Sequence, residues 1–263
     1  MTLSPKMKRD LNPDPRWPAL NASQIVLRES VPVREYVQRT FVPLSHLAHG
    51  WEMHSAVLLT PAEERSMVRE PAEAVPESIA RRLGKLRVLL VPFVGCFETG
   101  DRVAFSDPAG EKHSAVWLES EARIDLVLAC RDFDAHDTGF EFLASVAELL
   151  RPRLTPREME RYTNLLNEEL EGSITGEIDQ DAYEAKPALR GRRPRAGASF
   201  KKYRDVSFAS TGAEYMHGLW HDVQIRIGPE HLPVSALRKR MTLMAEMFPP
   251  NSGYHLFAEK NEG

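Results

Sequence analysis

No complete catalytic signature occurs in this 263-residue chain. It has no G-x-S-x-G elbow and no G-x-G-x-x-G loop, so the marks of an α/β-hydrolase nucleophile and of a dinucleotide-binding turn are both missing. Only two cysteines are present, Cys96 and Cys130. They are too few for a disulfide framework and do not form a C-x-x-C pair. Both lie in apolar strand contexts and read as buried thiols of a reducing compartment. No apolar run is long enough to span a bilayer, because the longest, Leu86 to Phe97, is short and contains Arg87 and Pro92. The opening residues, Met1 to Asp10, carry no apolar stretch behind their charges. A secretory signal is therefore not expected, and the expectation is a cytoplasmic protein without a membrane partner.

What is present is the composition of a globular chain, with 42% hydrophobic and 27% charged residues. The net charge of −4 conceals two opposed blocks. Glu168 to Glu184 holds seven acidic residues and no basic one, whereas Lys186 to Arg204 holds eight basic residues and no acidic one. Residues 1–22 carry four prolines and no apolar periodicity, which reads as a flexible arm ahead of a single domain over 23–263.

The fold class expected is α+β, a roughly four-stranded antiparallel meander flanked by N-terminal and C-terminal helices. Val88–Phe97, Arg102–Ser106, Ser114–Glu119 and Ile124–Arg131 have strand composition, with turn formers between them. Gly95 to Asp101 has glycines at phosphate-loop spacing but no lysine after the second, so it reads as a hairpin turn. Pro92 needs an edge or a bulge and marks the first strand as irregular. Helices are expected from two capping boxes with proline at the first helical position, Thr60-Pro-Ala-Glu63 and Thr155-Pro-Arg-Glu158. Another helix runs from Pro76 to Leu83 before Gly84, and apolar stripes mark Phe140–Leu150 and Val234–Phe248. The cluster His46, His49 and His54 reads as a histidine-rich turn, because His54 leaves the face shared by the other two.

One stretch, Thr211 to Gly228, brings metal-ligand residue types together at helical spacing. Glu214, His217 and His221 stand at i, i+3 and i+7 on a stripe opposite the apolar residues Tyr215, Met216, Leu219, Trp220 and Val223. Two imidazoles one turn apart can reach one ion, with Glu214 as a third ligand or a base and Asp222 orienting them. His136 and Asp137, where strand gives way to helix, are candidates to complete such a site. This donor set suits a Zn, Mn or Fe ion that activates water, hence a metal-dependent hydrolase acting on a small-molecule or peptide substrate. The spacing His217-Gly-Leu-Trp-His221 resembles the H-E-x-x-H helix of zinc proteases, but Gly218 stands where that helix carries its glutamate base, so no membership follows. Glu214-to-His217 is also the one Glu-x-x-His present, whereas a di-iron bundle uses two.

The alternative is a non-enzymatic interaction protein. Arg190, Arg192, Arg193, Arg195, Lys201, Lys202 and Arg204 form a basic loop over about 186–204 that would dock an acidic partner or phosphate groups, or pair with the acidic block just before it. With the rest of the chain net acidic, nucleic acid is the less favoured ligand of this loop.

Overall fold

The computed structural model describes residues 20–21, 29–41, 44–186, 197–221, 223 and 225–257. The chain is α+β, as its composition predicts, and divides into two compact units. One, built from Leu3–Glu73 and Leu83–Phe142, holds the strands; the other, built mainly from Leu143–Gly263 with Ala74–Arg82, is helical. The expected arm at 1–22 lies almost wholly outside the described residues.

The strand-rich unit opens with β1 (Leu20–Asn21), β2 (Ser30–Pro32), helix α1 (Val33–Arg39) and β3 (Thr40–Phe41). Next come β4 (Ser45–His46) and β5 (Glu52–Ser55), then α2 (Pro61–Glu64), a π turn over Arg65–Arg69, and α3 (Glu70–Ala74). The Thr60 capping box forms as read, with the Thr60 backbone N–H donating to the Glu63 carboxylate at 2.7 Å. Strands β6 (Leu86–Val91), β7 (Phe93–Phe97), β8 (Gly100–Ala104), β9 (Lys112–His113), β10 (Ala115–Glu119) and β11 (Ile124–Ala129) follow.

These strands form two larger sheets, a five-stranded mixed one and a four-stranded antiparallel one. The first has the order β10-β11-β6-β5-β4, and β6 runs parallel to both β11 and β5. The second, β2-β8-β7-β9, is antiparallel throughout. Short turns do produce antiparallel neighbours, such as β7 with β8 and β10 with β11. The parallel pairing of β6 with β11 needs a long crossover, and the whole second hairpin system supplies it where a helix usually would. Pro92 stands at the switch point, where a residue without an N–H ends one ladder and the next residue begins another. Both β6 and β11 are buried along their full length, which is the condition of central parallel strands. Their two charged residues meet across the register: Asp125 pairs with Arg87, whose Nε donates to Oδ1 at 2.6 Å.

The helical unit contains α4 (Glu77–Leu83) up to Arg82, the second half of α5 (Ala135–Leu150), and α6 (Pro156–Glu171). It continues with α7 (Gln180–Ala185), α8 (Ala198–Trp220) and α9 (Val234–Met247). The Thr155 capping box starts α6, and Glu158 also takes a two-pronged bond from Arg82 at 2.6 and 2.7 Å. The structure corrects the reading of α8 in two respects. The helix begins at Ala198, so Lys201, Lys202 and Arg204 lie on its first turns and not in a loop. It also ends at Trp220, well short of Gly228. Phe200, Tyr203 and Phe208 had already set a helical apolar spacing through the basic block. From Ser207 to Leu219 every residue of α8 is buried, so it has no free polar face. Gly212 permits this packing, because a Cβ there would lie 3.0 Å from the Ala147 Cβ on α5.

Around α8 the helical unit buries charge. Arg240, fully buried on α9, makes a two-pronged bond to Glu169 of α6 at 2.9 and 2.6 Å and reaches Glu177 at 2.8 and 2.9 Å. Glu177 also accepts from Lys186 Nζ at 2.8 Å and from the Tyr203 hydroxyl at 2.5 Å. Ser207 accepts from Arg240, while Tyr162 bonds Ser207 and Thr211 at 2.9 and 2.8 Å. Burial alone would raise the Glu177 carboxyl, but Arg240 and then Lys186 outweigh it and hold it at about 2. The backbone that presents Glu177 bridges to His231, and only glycine fits at 176, where a Cβ would meet the His231 carbonyl oxygen at 1.9 Å.

Candidate metal centres

The helix residues singled out by spacing are only partly brought together. Glu214 and His217 are buried on α8, with His217 Nδ1 4.0 Å from a Glu214 oxygen. His221 lies past the helix end with extended backbone, at φ −131° and ψ −174°, and its ring stacks on Trp220 with centroids 4.1 Å apart. The His217 and His221 ring centroids are 5.7 Å apart. The i,i+4 relation that would aim both imidazoles at one ion therefore stops one residue short. Asp222 lies outside the described residues, as do Arg190, Arg192, Arg193 and Arg195.

Among the described residues, sets of three potential ligand atoms within 4.8 Å of one another occur at two places: Asp134–His136–Asp137 and Cys96–Asp101–His113. The first includes His136 and Asp137. Its third member, Asp134, is the residue that caps α5, accepting from the Asp137 backbone N–H at 2.8 Å. Asp134 is therefore already engaged as the helix cap. A cation there would face the positive end of the helix dipole, which opposes it.

The second set arises from strand register. The loop Glu98-Thr99 is a two-residue hairpin connection, so Phe97 faces Gly100 and Cys96 faces Asp101. On the other side of β7, Val94 faces His113. Side chains alternate along a strand, and opposed residues share a face, so Cys96, Asp101 and His113 all project from the same side of the sheet. His113 Nε2 lies 3.2 Å from Asp101 Oδ1, and His113 is buried whereas Cys96 is exposed. This corrects the expectation that both cysteines are buried. Cys130 does conform: burial pushes its thiol up to about 11, and it donates to the Val91 carbonyl.

Chemically the set offers one sulfur, one nitrogen and one oxygen. Around a tetrahedral Zn²⁺ with bonds of about 2.0–2.1 Å, nitrogen and oxygen ligands stand roughly 3.3 Å apart, close to the His113–Asp101 separation. Without an ion, the same contact is an ordinary hydrogen bond or, with the ring protonated, an ion pair. Reading the hairpin register through Glu98-Thr99 would have placed Cys96 against Asp101 from the sequence. Nothing local announced His113, which enters through a short third strand.

No family model, no curated protein and no solved structure matches this chain. No helix among the described residues is long and apolar enough to cross a membrane.

Proposed function

We propose that this protein is a metal-dependent enzyme of the hydrolytic type, with its ion held by Cys96, Asp101 and His113. The observation that carries the reading is the convergence of thiol, carboxylate and imidazole on one face of β7, β8 and β9. Three protein ligands leave a fourth tetrahedral position for water, and a bound Zn²⁺ lowers the pKa of that water to about 7. A thiolate ligand favours Zn²⁺ or Fe²⁺ over Mn²⁺. The exposed Cys96 side of the site is where a substrate would approach, and buried His113, facing Asp101, holds the rigid side.

The test is metal analysis of untagged protein, followed by cobalt substitution. Stoichiometric metal, with a thiolate-to-cobalt absorption band lost in Cys96→Ser and metal lost in His113→Ala, is the expected result. Metal retained in Cys96→Ser but lost in His217→Ala would move the ion to the Glu214–His217–His221 helix. Protein that holds no Zn, Fe or Mn, and is not stabilised by any of them, would overturn the metal reading.

A second reading has its own observation. Lys201 and Lys202 are exposed on the first turns of α8, whose N-cap Gly197 supplies no side-chain cap. Together with the arginines of 187–196 they would dock an acidic protein partner. Binding would then weaken with salt and with Lys201→Ala plus Lys202→Ala.

A further inference from the structure

The helical unit holds a small apolar cavity at the start of α9. It encloses about 200 Å³ and is walled by Val223 and Ile225 from the segment after α8, by Val234 and Leu237 of α9, and by Leu256. Phe257 and Arg238 complete the lining. Gly218 on α8 makes the inner side possible. A Cβ there would lie 2.7 Å from Val223 Cγ2, so any larger residue would push that wall off the helix, and Leu256 Cδ2 comes within 3.5 Å of the same point. Leu237 is buried, whereas Ile225 and Val234 are exposed. Five large apolar side chains are exposed among the described residues, and three of them, Ile225, Ile227 and Val234, fall in the ten residues 225–234. Single exposed apolar residues are ordinary, but such a concentration marks a binding surface. The one charge in the lining is Arg238, whose guanidinium carbon sits 4.5 Å from the centroid of the Phe257 ring. Stacking engages the flat face of the group and leaves its N–H edge unused. Among the described residues, no carboxylate pairs with it.

We propose that this cavity binds a small amphiphilic carboxylate, with its apolar part among Val223, Leu237 and Leu256 and its carboxylate on the edge of Arg238. Size and lining together select this class. The space is smaller than the roughly 300–1,000 Å³ of drug-sized sites. At the packing density of a protein interior it holds roughly eight heavy atoms, which is an aliphatic acid of about six carbons. The lining selects the charge. Apolar walls offer a phosphate no further donors for its remaining oxygens, whereas one planar guanidinium fork matches one carboxylate. The Phe257 ring fixes the plane of that fork, so less freedom is lost when the pair forms. Keeping the carboxylate at exposed Arg238 leaves it in contact with water, which avoids the cost of burying an ion. The cavity belongs to the helical unit, whereas Cys96, Asp101 and His113 belong to the strand-rich one, so it stands independently of the metal reading.

Methyl NMR of the full chain, titrated separately with hexanoate and with the uncharged 1-hexanol, tests this. Saturable shifts are expected at the Val223, Val234 and Leu237 methyls, with hexanoate bound at least as tightly as 1-hexanol. Arg238→Gln should weaken hexanoate about fivefold, the worth of one exposed ion pair, and leave 1-hexanol unchanged. Ile225→Asp, at an exposed position, sets a carboxylate at the mouth and should weaken hexanoate more than 1-hexanol. The absence of saturable shifts at these methyls would overturn the proposal. So would tighter binding of 1-hexanol than of hexanoate, or a hexanoate affinity that Arg238→Gln leaves unchanged.

Discussion

In the strand-rich unit a buried charge pair spans the register of β6 and β11, Arg87 against Asp125, set among Leu, Val and Ile side chains. In the helical unit Arg240, Glu169, Glu177 and Lys186 form a neutral quartet, with three tyrosine and serine hydroxyls and Thr211 filling the remaining donor and acceptor positions. The first arrangement is backed by Arg123, a half-exposed arginine that also bonds Asp125 at 2.9 Å and can relax into water. The second has no such outlet, because Arg240 and Glu177 are fully buried. A parallel sheet closes its own backbone and needs charge only at one rung. Helices meeting around α8 use the charge itself as the joint, tying α6, α7, α8 and α9 at one point.

The sharpest way to break this contrast is to remove the arginine from each side. Arg240→Ala strands the buried Glu169 and leaves Glu177 with Lys186 as its one cation, and should cost about 3–5 kcal/mol. Arg87→Ala leaves Asp125 with Arg123 and should cost about 1–3 kcal/mol. Urea unfolding of both variants measures this, and a costlier Arg87→Ala would reverse the argument. Acid provides the next effect. Glu177 binds its proton at about 2 in the folded protein against an ordinary 4.5, so its stabilisation is present above 4.5 and is lost as pH falls towards 2. That amounts to on the order of 3 kcal/mol, and it should appear as loss of α8 and α9 amide protection before that of β6 and β11. The smallest effect should come from Thr155→Ala. It removes the side-chain bond to the Glu158 N–H and should cost about 1 kcal/mol. Arg82 still holds the Glu158 carboxylate, which limits the loss.

Local signals were legible where the physics is local. Both capping boxes, the stop at Gly84 and the apolar stripe of α9 could be read because each depends on residues within a few positions of one another. The split into two sheets could not, since β6 and β11 look alike whether they pair in a meander or in parallel across thirty-odd intervening residues. Nothing local marks Glu169 and Arg240 as a buried pair, for a similar reason. Their partners are 71 positions apart, and helical periodicity assigns any charged residue to the wet side. The candidate site shows the same division. Cys96 opposite Asp101 follows from turn length, but His113 depends on a strand of two residues, below the length at which alternation can be seen. His217 and His221 are separated by a helix end that no proline marks, since the helix stops where His221 turns to extended backbone.

The two thiols, one exposed on β7 and one sealed after β11, make the native chain its own reporter. A pulse of alkylating reagent should add a single mass increment to folded molecules, at Cys96, and two to unfolded ones. The ratio of the two species in a mass spectrum then counts how many copies of the strand-rich unit are open at that instant, with no label or substitution added. An ion at Cys96 would show in the same spectrum as a folded species that gains nothing.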